Sequence, residues 1–152
     1  MEKAVITCRL HRNTVSWLDL LAPYFRSKSE LVGHLLGFKA YQGINAAPGQ
    51  RIIVKLFSRP ARVPLGDSSV IGCRLPAEVS NIIKDAASMQ GRTVSEWAGV
   101  VLYAWVGTFS KAYRENESNL EDWLPAVAGE IAEDYASVYA PNEVKEVENC
   151  PV

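Results

Sequence analysis

The side chains best suited to nucleophilic, redox or metal chemistry are three cysteines and two histidines, and their spacing supports none of it. Cys8, Cys73 and Cys150 are too few for a disulfide scaffold and are not spaced as zinc ligands. His11 and His34 fall in different segments, with neither a partnered nucleophile nor ligand spacing nearby. No glycine-rich phosphate loop is present. Catalysis is therefore not expected, and no cofactor or metal is called for. Two other groups carry usable chemistry. Arg9 and Arg74 each follow a cysteine in an alternating apolar stretch, which would present a guanidinium on a polar strand face. Ser27-x-x-Glu30 and Thr93-x-x-Glu96 have the pattern that ties up exposed amides at a helix start. Arginine forks and helix amino termini recognise anions and hydrogen-bond acceptors, so the chemistry on offer is binding.

The charge distribution points the same way. The net charge of −1 conceals a basic body and an acidic tail. Residues 1–114 hold 15 Lys/Arg against 7 Asp/Glu, a net of +8, and residues 115–152 hold 1 Lys against 10 Asp/Glu, a net of −9. A basic body attracts polyanions. The tail is either a solvated or packed helix or a contact for a basic protein partner.

These groups recur because the sequence repeats. Ile6-Thr7-Cys8-Arg9-Leu10 matches Ile71-Gly72-Cys73-Arg74-Leu75 at an offset of 65, and Arg26-Ser27-Lys28-Ser29-Glu30 matches Arg92-Thr93-Val94-Ser95-Glu96 at 66. Each copy opens with a strand: Ile6, Cys8 and Leu10, or Ile71, Cys73 and Leu75, alternate with polar or small residues. A helix follows. Its apolar stripe is Leu18, Leu21 and Ala22 in the first copy and Val79, Ile82, Ile83, Ala86 and Ala87 in the second. Pro76 suits the first turn of the second copy's helix, whereas Pro23 should end the first copy's helix near Ala22. The second helix opens at each capping pattern. It runs through Leu31, Val32, Leu35, Leu36 and Phe38, or through Trp97, Ala98, Val101, Leu102, Trp105 and Val106.

One short strand with a single apolar face is not stable alone, and a unit of roughly 35 residues buries too little surface. Two copies solve both problems if their strands pair antiparallel within one chain and the four helices interlock beneath. The expected fold is mainly α with a short two-stranded antiparallel ribbon (α+β), plus a C-terminal helix. A pseudo-twofold between the copies predicts that Thr7 faces Gly72, Val5 faces Arg74 and Arg9 faces Val70.

Val70-Ile71-Gly72-Cys73-Arg74-Leu75-Pro76 and Gly91-Arg92-Thr93-Val94-Ser95-Glu96 resemble the ribbon-helix-helix family of DNA-binding proteins, the Arc/MetJ/CopG-like group. The first copy fits with departures: His11 stands at the proline and the turn lacks its glycine. The resemblance implies a tandem ribbon-helix-helix chain forming an intramolecular pseudo-dimer. It implies that double-stranded DNA is the partner, that the ribbon reads the major groove, and that the protein regulates transcription as a repressor. The base-reading positions would be Val5, Thr7, Arg9, Val70, Gly72 and Arg74. Phosphates would be held by Ser27, Lys28, Thr93 and Val94, with Arg12, Arg26 and Arg92 adding nonspecific attraction.

Of the six ribbon positions, only Thr7, Arg9 and Arg74 carry hydrogen-bonding side chains. That sparseness keeps a second class open: a protein-binding module, antitoxin- or inhibitor-like, that uses the acidic C-terminal helix or a repurposed surface of the same unit. The organisation reads as a first copy over 1–40, a basic linker over 41–68, a second copy over 69–114 and an acidic helix and tail over 115–152. Within the linker, Arg51–Phe57 is apolar and β-branched and reads as an extra strand. Arg51, Lys55, Arg59 and Arg62 make that linker either a solvated connector or an arm along a DNA backbone. Residues 118–140 read as one amphipathic helix, with Leu120, Trp123, Leu124, Val127, Ile131, Tyr135 and Val138 on a stripe that packs in cis or joins a homo-oligomer. No apolar run suits a membrane span or a signal peptide, and a cytoplasmic setting in a prokaryotic cell, its virus or its plasmid is expected.

Overall fold

A computed structural model describes residues 3–45 and 68–139 of the 152. The expected strand at 51–57, the linker arginines and Cys150 lie outside the described residues. The elements run β1 (Lys3–His11), α1 (Arg12–Leu18), α2 (Lys28–Asn45), β2 (Ser68–Pro76), α3 (Ala77–Met89), α4 (Val94–Glu115) and α5 (Leu120–Tyr139), with short 3-10 turns at Ala22–Tyr24 and Glu117–Asn119. The chain is thus mainly helical, with one two-stranded antiparallel sheet.

The two strands pair within the chain, in the register that the repeat predicts. Thr7 faces Gly72, Val5 faces Arg74 and Arg9 faces Val70. Alternation then sorts the side chains. Ile6, Cys8, Leu10, Ile71, Cys73 and Leu75 are buried, while Val5, Thr7, Arg9, Val70, Gly72 and Arg74 are exposed. A slip of one residue would expose six apolar side chains, and each large aliphatic one contributes roughly 1.5–3 kcal/mol when buried.

The helices beneath are exchanged between the copies. β1 packs on α4 and β2 on α2, so each strand lies against the other copy's second helix. α3 likewise packs on α2, and α1 on α4. Leu31, Val32, Leu36, Ala98 and Leu102 from the second helices share a single core with Leu18 of α1, Leu21 just beyond it, and Val79 and Ile83 of α3. Both copies contribute to this one cluster.

The first helices differ. α3 runs 13 residues from Pro76 and turns at Gly91, whose φ of 64° suits a glycine. α1 stops at Leu18, four residues before the expected end at Ala22. From Leu20 onward the chain tightens into i→i−3 bonds: Leu20 N–H to Trp17 O (3.2 Å), Leu21 to Leu18 (3.0 Å) and Tyr24 to Leu21 (3.0 Å). Pro23 lacks the N–H that an α-helix would need there, and it disfavours helical geometry at Ala22. Leu18 and Leu21 still reach the core across the tightened turn.

α5 packs on α2 and the end of α4, so its apolar stripe is used in cis. Ala128 and Ile131 are buried. The Tyr139 hydroxyl donates to Gly37 O at 2.6 Å, and Trp123 stacks on Phe109 with centroids 5.4 Å apart. Pro125 lies within α5, one turn past its start at Leu120.

Candidate nucleic-acid interface

The outward face of the ribbon is a row of three cross-strand pairs, Val5 with Arg74, Thr7 with Gly72 and Arg9 with Val70. Each arginine sits opposite a valine, and Thr7 with Gly72 is the central pair. Val5 and Val70 are more than half exposed, at 61% and 63%. All six base-reading candidates share this one surface.

Two serines that the sequence reading passed over fix the ribbon to the helices. The Ser29 hydroxyl, in the first turn of α2, donates to Gly72 O at 2.8 Å. The Arg9 N–H donates to the Ser95 hydroxyl, in the first turn of α4, at 3.3 Å. Ser29 and Ser95 are equivalent at the offset of 66, so each outer ribbon edge is latched by the second helix of the opposite copy. Gly33 and Gly99 are equivalent in the same way. A Cβ at Gly33 would come within 2.6 Å of Leu75, and one at Gly99 within 3.3 Å of the Arg9 carbonyl. The missing side chains let both helices approach the ribbon ends. The signal was available, because both pairs repeat in the sequence. Its meaning needed the exchanged packing.

The helix starts behave as their patterns imply. Thr93 Oγ1 accepts from Glu96 N–H at 3.2 Å, and the Glu96 carboxylate accepts from Thr93 N–H at 3.4 Å, a complete capping box. In the first copy Ser27 Oγ accepts from Glu30 N–H at 3.1 Å, and the Glu30 carboxylate lies 3.9 Å from Arg26. Lys28 and Val94 each begin a helix, where amides have no intrahelical partner. These amides flank the ribbon because Ser29 and Ser95 are next in sequence and bound to its edges.

The cationic candidates are not equal. Arg26 is 92% exposed at its side chain, and its contact with Glu30 at 3.9 Å is a surface pair of little energy. Lys28 is in an ion pair with Asp19, so its ammonium would reach a phosphate only by sharing or leaving that carboxylate. Arg12 is exposed at the start of α1, and Arg92 is half-buried in the turn before α4.

His11 and the cysteines have structural places. His11 Nδ1 accepts from Asn13 N–H at 3.0 Å, capping α1 where the second copy has Pro76. Cys8 and Cys73 are free thiols on the buried ribbon face, diagonal to one another across Ile6–Cys73 and Cys8–Ile71. Burial pushes their thiols up to about 12 and about 11, so thiolate chemistry is suppressed at both. Diagonal Cα atoms stand roughly 7–8 Å apart in an antiparallel pair, beyond the reach of an unstrained disulfide.

α5 packs on α2 from His34 to Gly37, five to eight residues, or ~8–12 Å, along the helix from the Ser29 latch. Among the described residues, no group of three or more His, Cys, Asp or Glu side chains could hold a metal ion, and no helix is long and apolar enough to cross a membrane. The chain matches no family model, no curated protein and no solved structure.

Proposed function

We propose that the chain is a sequence-specific double-stranded DNA-binding regulator, acting as a repressor, built as a tandem ribbon-helix-helix pseudo-dimer in one polypeptide. The observation that carries this reading is the outward ribbon face flanked on both edges by helix starts that the ribbon itself holds through Ser29 and Ser95. A two-stranded ribbon fits a major groove. Arg9 and Arg74 supply bidentate forks for guanine, Thr7 a hydroxyl, and Val5 and Val70 apolar contact for thymine methyls. The amides of Lys28 and Val94, with the hydroxyls of Ser27 and Thr93, meet the backbone on either side, and Arg12, Arg26 and Arg92 add counterion release.

The second reading, an antitoxin- or inhibitor-like module, is favoured by one observation. α5 keeps an acidic outer face, with Glu121, Asp122, Glu130 and Glu133 exposed, while its apolar side is occupied by α2 and α4. A basic protein partner would meet those carboxylates.

Selection of bound sequences from random duplex DNA, followed by titration of the winner against a scrambled duplex at two salt concentrations, separates the two. The DNA reading expects an enriched motif, tighter binding of the winner, and affinity that falls with salt. No enrichment and no duplex binding by the full chain at low salt overturns it.

A further inference from the structure

The ribbon face is symmetric at its ends and asymmetric at its centre. Val5 and Val70 are equivalent, as are Arg9 and Arg74, but the central pair is Thr7 against Gly72. Packing does not demand that glycine. A Cβ at Gly72 would lie 3.9 Å from Val5 and 4.0 Å from Thr7, ordinary contacts, and Gly91 is the positive-φ glycine among the described residues. At Gly37, by contrast, a Cβ would meet Val79 and Tyr135 at 3.0 Å. The fold leaves room for a side chain at position 72 and the sequence leaves it empty, on the most exposed face of the ribbon.

We propose that the ribbon reads an oriented DNA element with matched flanks and an unmatched centre. It rests on the DNA-binding reading above. Arg9 and Arg74 each take a guanine, on opposite DNA strands, and Thr7 alone discriminates at the centre while Gly72 is silent. The register sets the spacing. Arg9 lies two residues to one side of the central pair and Arg74 two residues to the other. Four residues of strand span ~13 Å, the rise of about four base pairs. Val5 and Val70, beside the arginines on the facing strand, favour thymine next to each guanine. A ribbon made by two identical chains must place the same residue at both central positions. Two copies in one chain are free to differ there, and the difference gives the bound protein a direction on the duplex.

The test is selection from random duplexes with the full chain and four variants, each first checked for native circular dichroism. Wild type should enrich guanines about four base pairs apart on opposite strands around a non-palindromic centre. Gly72→Thr should turn the centre palindromic. Thr7→Gly should erase the central preference, a loss of about tenfold in discrimination, and leave the flanks. Arg9→Ala and Arg74→Ala should each erase one flanking guanine and spare the other. Should Gly72→Thr fail to fold, Thr7→Gly carries the test, because it removes an exposed side chain and adds the backbone freedom of one strand glycine, which β2 already tolerates at Gly72. A wild-type motif with a palindromic centre, or one unchanged by Thr7→Gly, overturns this inference and leaves DNA binding standing. No wild-type motif and no duplex binding overturn both.

Discussion

The two strand–helix–helix copies agree at the flanks of the ribbon and diverge at its central pair and on the far side. Ser29 and Ser95 latch opposite edges, Gly33 and Gly99 admit opposite helices, and the outer ribbon residues repeat. Two turns further along, Gly37 of α2 is covered by Tyr135 and Tyr139 of α5, while its equivalent on α4, Tyr103, is 72% exposed. The first helices diverge too, α1 with 7 residues and α3 with 13. A pairing geometry shared by both copies constrains the residues where the second helices meet the strands. Elsewhere each copy is free to meet its own neighbour, and a single helix such as α5 can cover only one of two equivalent faces.

The largest expected effects test whether the core is common property. Leu36 and Leu102 are equivalent and fully buried. Leu36→Ala and Leu102→Ala should each cost about 2–5 kcal/mol in chemical denaturation, in one cooperative transition. Two transitions, or a loss confined to one mutant, would mean that the copies fold separately despite their exchanged helices.

Next comes a swap at the point of divergence. Gly37→Tyr puts the second copy's residue into the first, where a Cβ already meets Val79 and Tyr135 at 3.0 Å. Overpacking of this kind should cost about 1–3 kcal/mol and loosen α5 from α2, read as faster amide exchange in α5. The reverse change, Tyr103→Gly, removes an exposed side chain and should cost about 0.5 kcal/mol, from helix propensity alone, with exchange in α5 unchanged. Faster exchange in α5 after both changes, or after neither, would mean that α5 does not distinguish the two faces.

The ribbon arginines should behave alike. Arg9→Ala and Arg74→Ala should each weaken binding to a selected duplex by about 1–3 kcal/mol in a titration. Stability should stay within about 0.5 kcal/mol of wild type, as both are exposed on the strand face. Unchanged binding in both folded mutants would move the function to another surface and favour the acidic face of α5.

Much of this was legible in the sequence, and the reasons are specific. Alternation over Val5–Leu10 and Val70–Leu75, with the repeat offset, fixes register and outward face together, because strand period and twofold leave one solution. The caps at Ser27 and Thr93 are local and so readable. The latches at Ser29 and Ser95 repeat just as clearly, but their acceptor and donor lie on the other copy, 43 and 86 residues away. Local pattern gives no hint of such partners. The stripe on α5 declared an apolar face without naming what it covers, and it omitted Ala128, too small to stand out. α1 ended early because i→i−3 bonding before Pro23 kept Leu21 buried with fewer α-helical residues, an outcome that apolar spacing alone does not distinguish from a longer helix.

The smallest expected effect concerns His34, where the copies differ by one titratable group. The ring lies between Phe25 and Tyr135, with centroids 5.7 and 4.2 Å away, and its Nδ1 is buried without a hydrogen-bond partner. Burial lowers its pKa below the usual 6.5, and the Glu30 carboxylate opposes that only in part. The unfolded chain therefore takes up the proton first as pH falls. The contribution of neutral His34 is fully present above about 6.5 and is lost as pH drops from there towards the lower folded-state value. The equivalent residue on α4 is Val100, which does not titrate. His34→Val makes the first copy match the second at this point. It should flatten the stability-versus-pH curve just below 6.5, measured by denaturation at pH 7.5, 6 and 5, and leave the value at pH 7.5 within about 1 kcal/mol. A variant that keeps the full wild-type slope between pH 7.5 and 5 would place the pH sensitivity in other groups, with the acidic face of α5 the next to substitute.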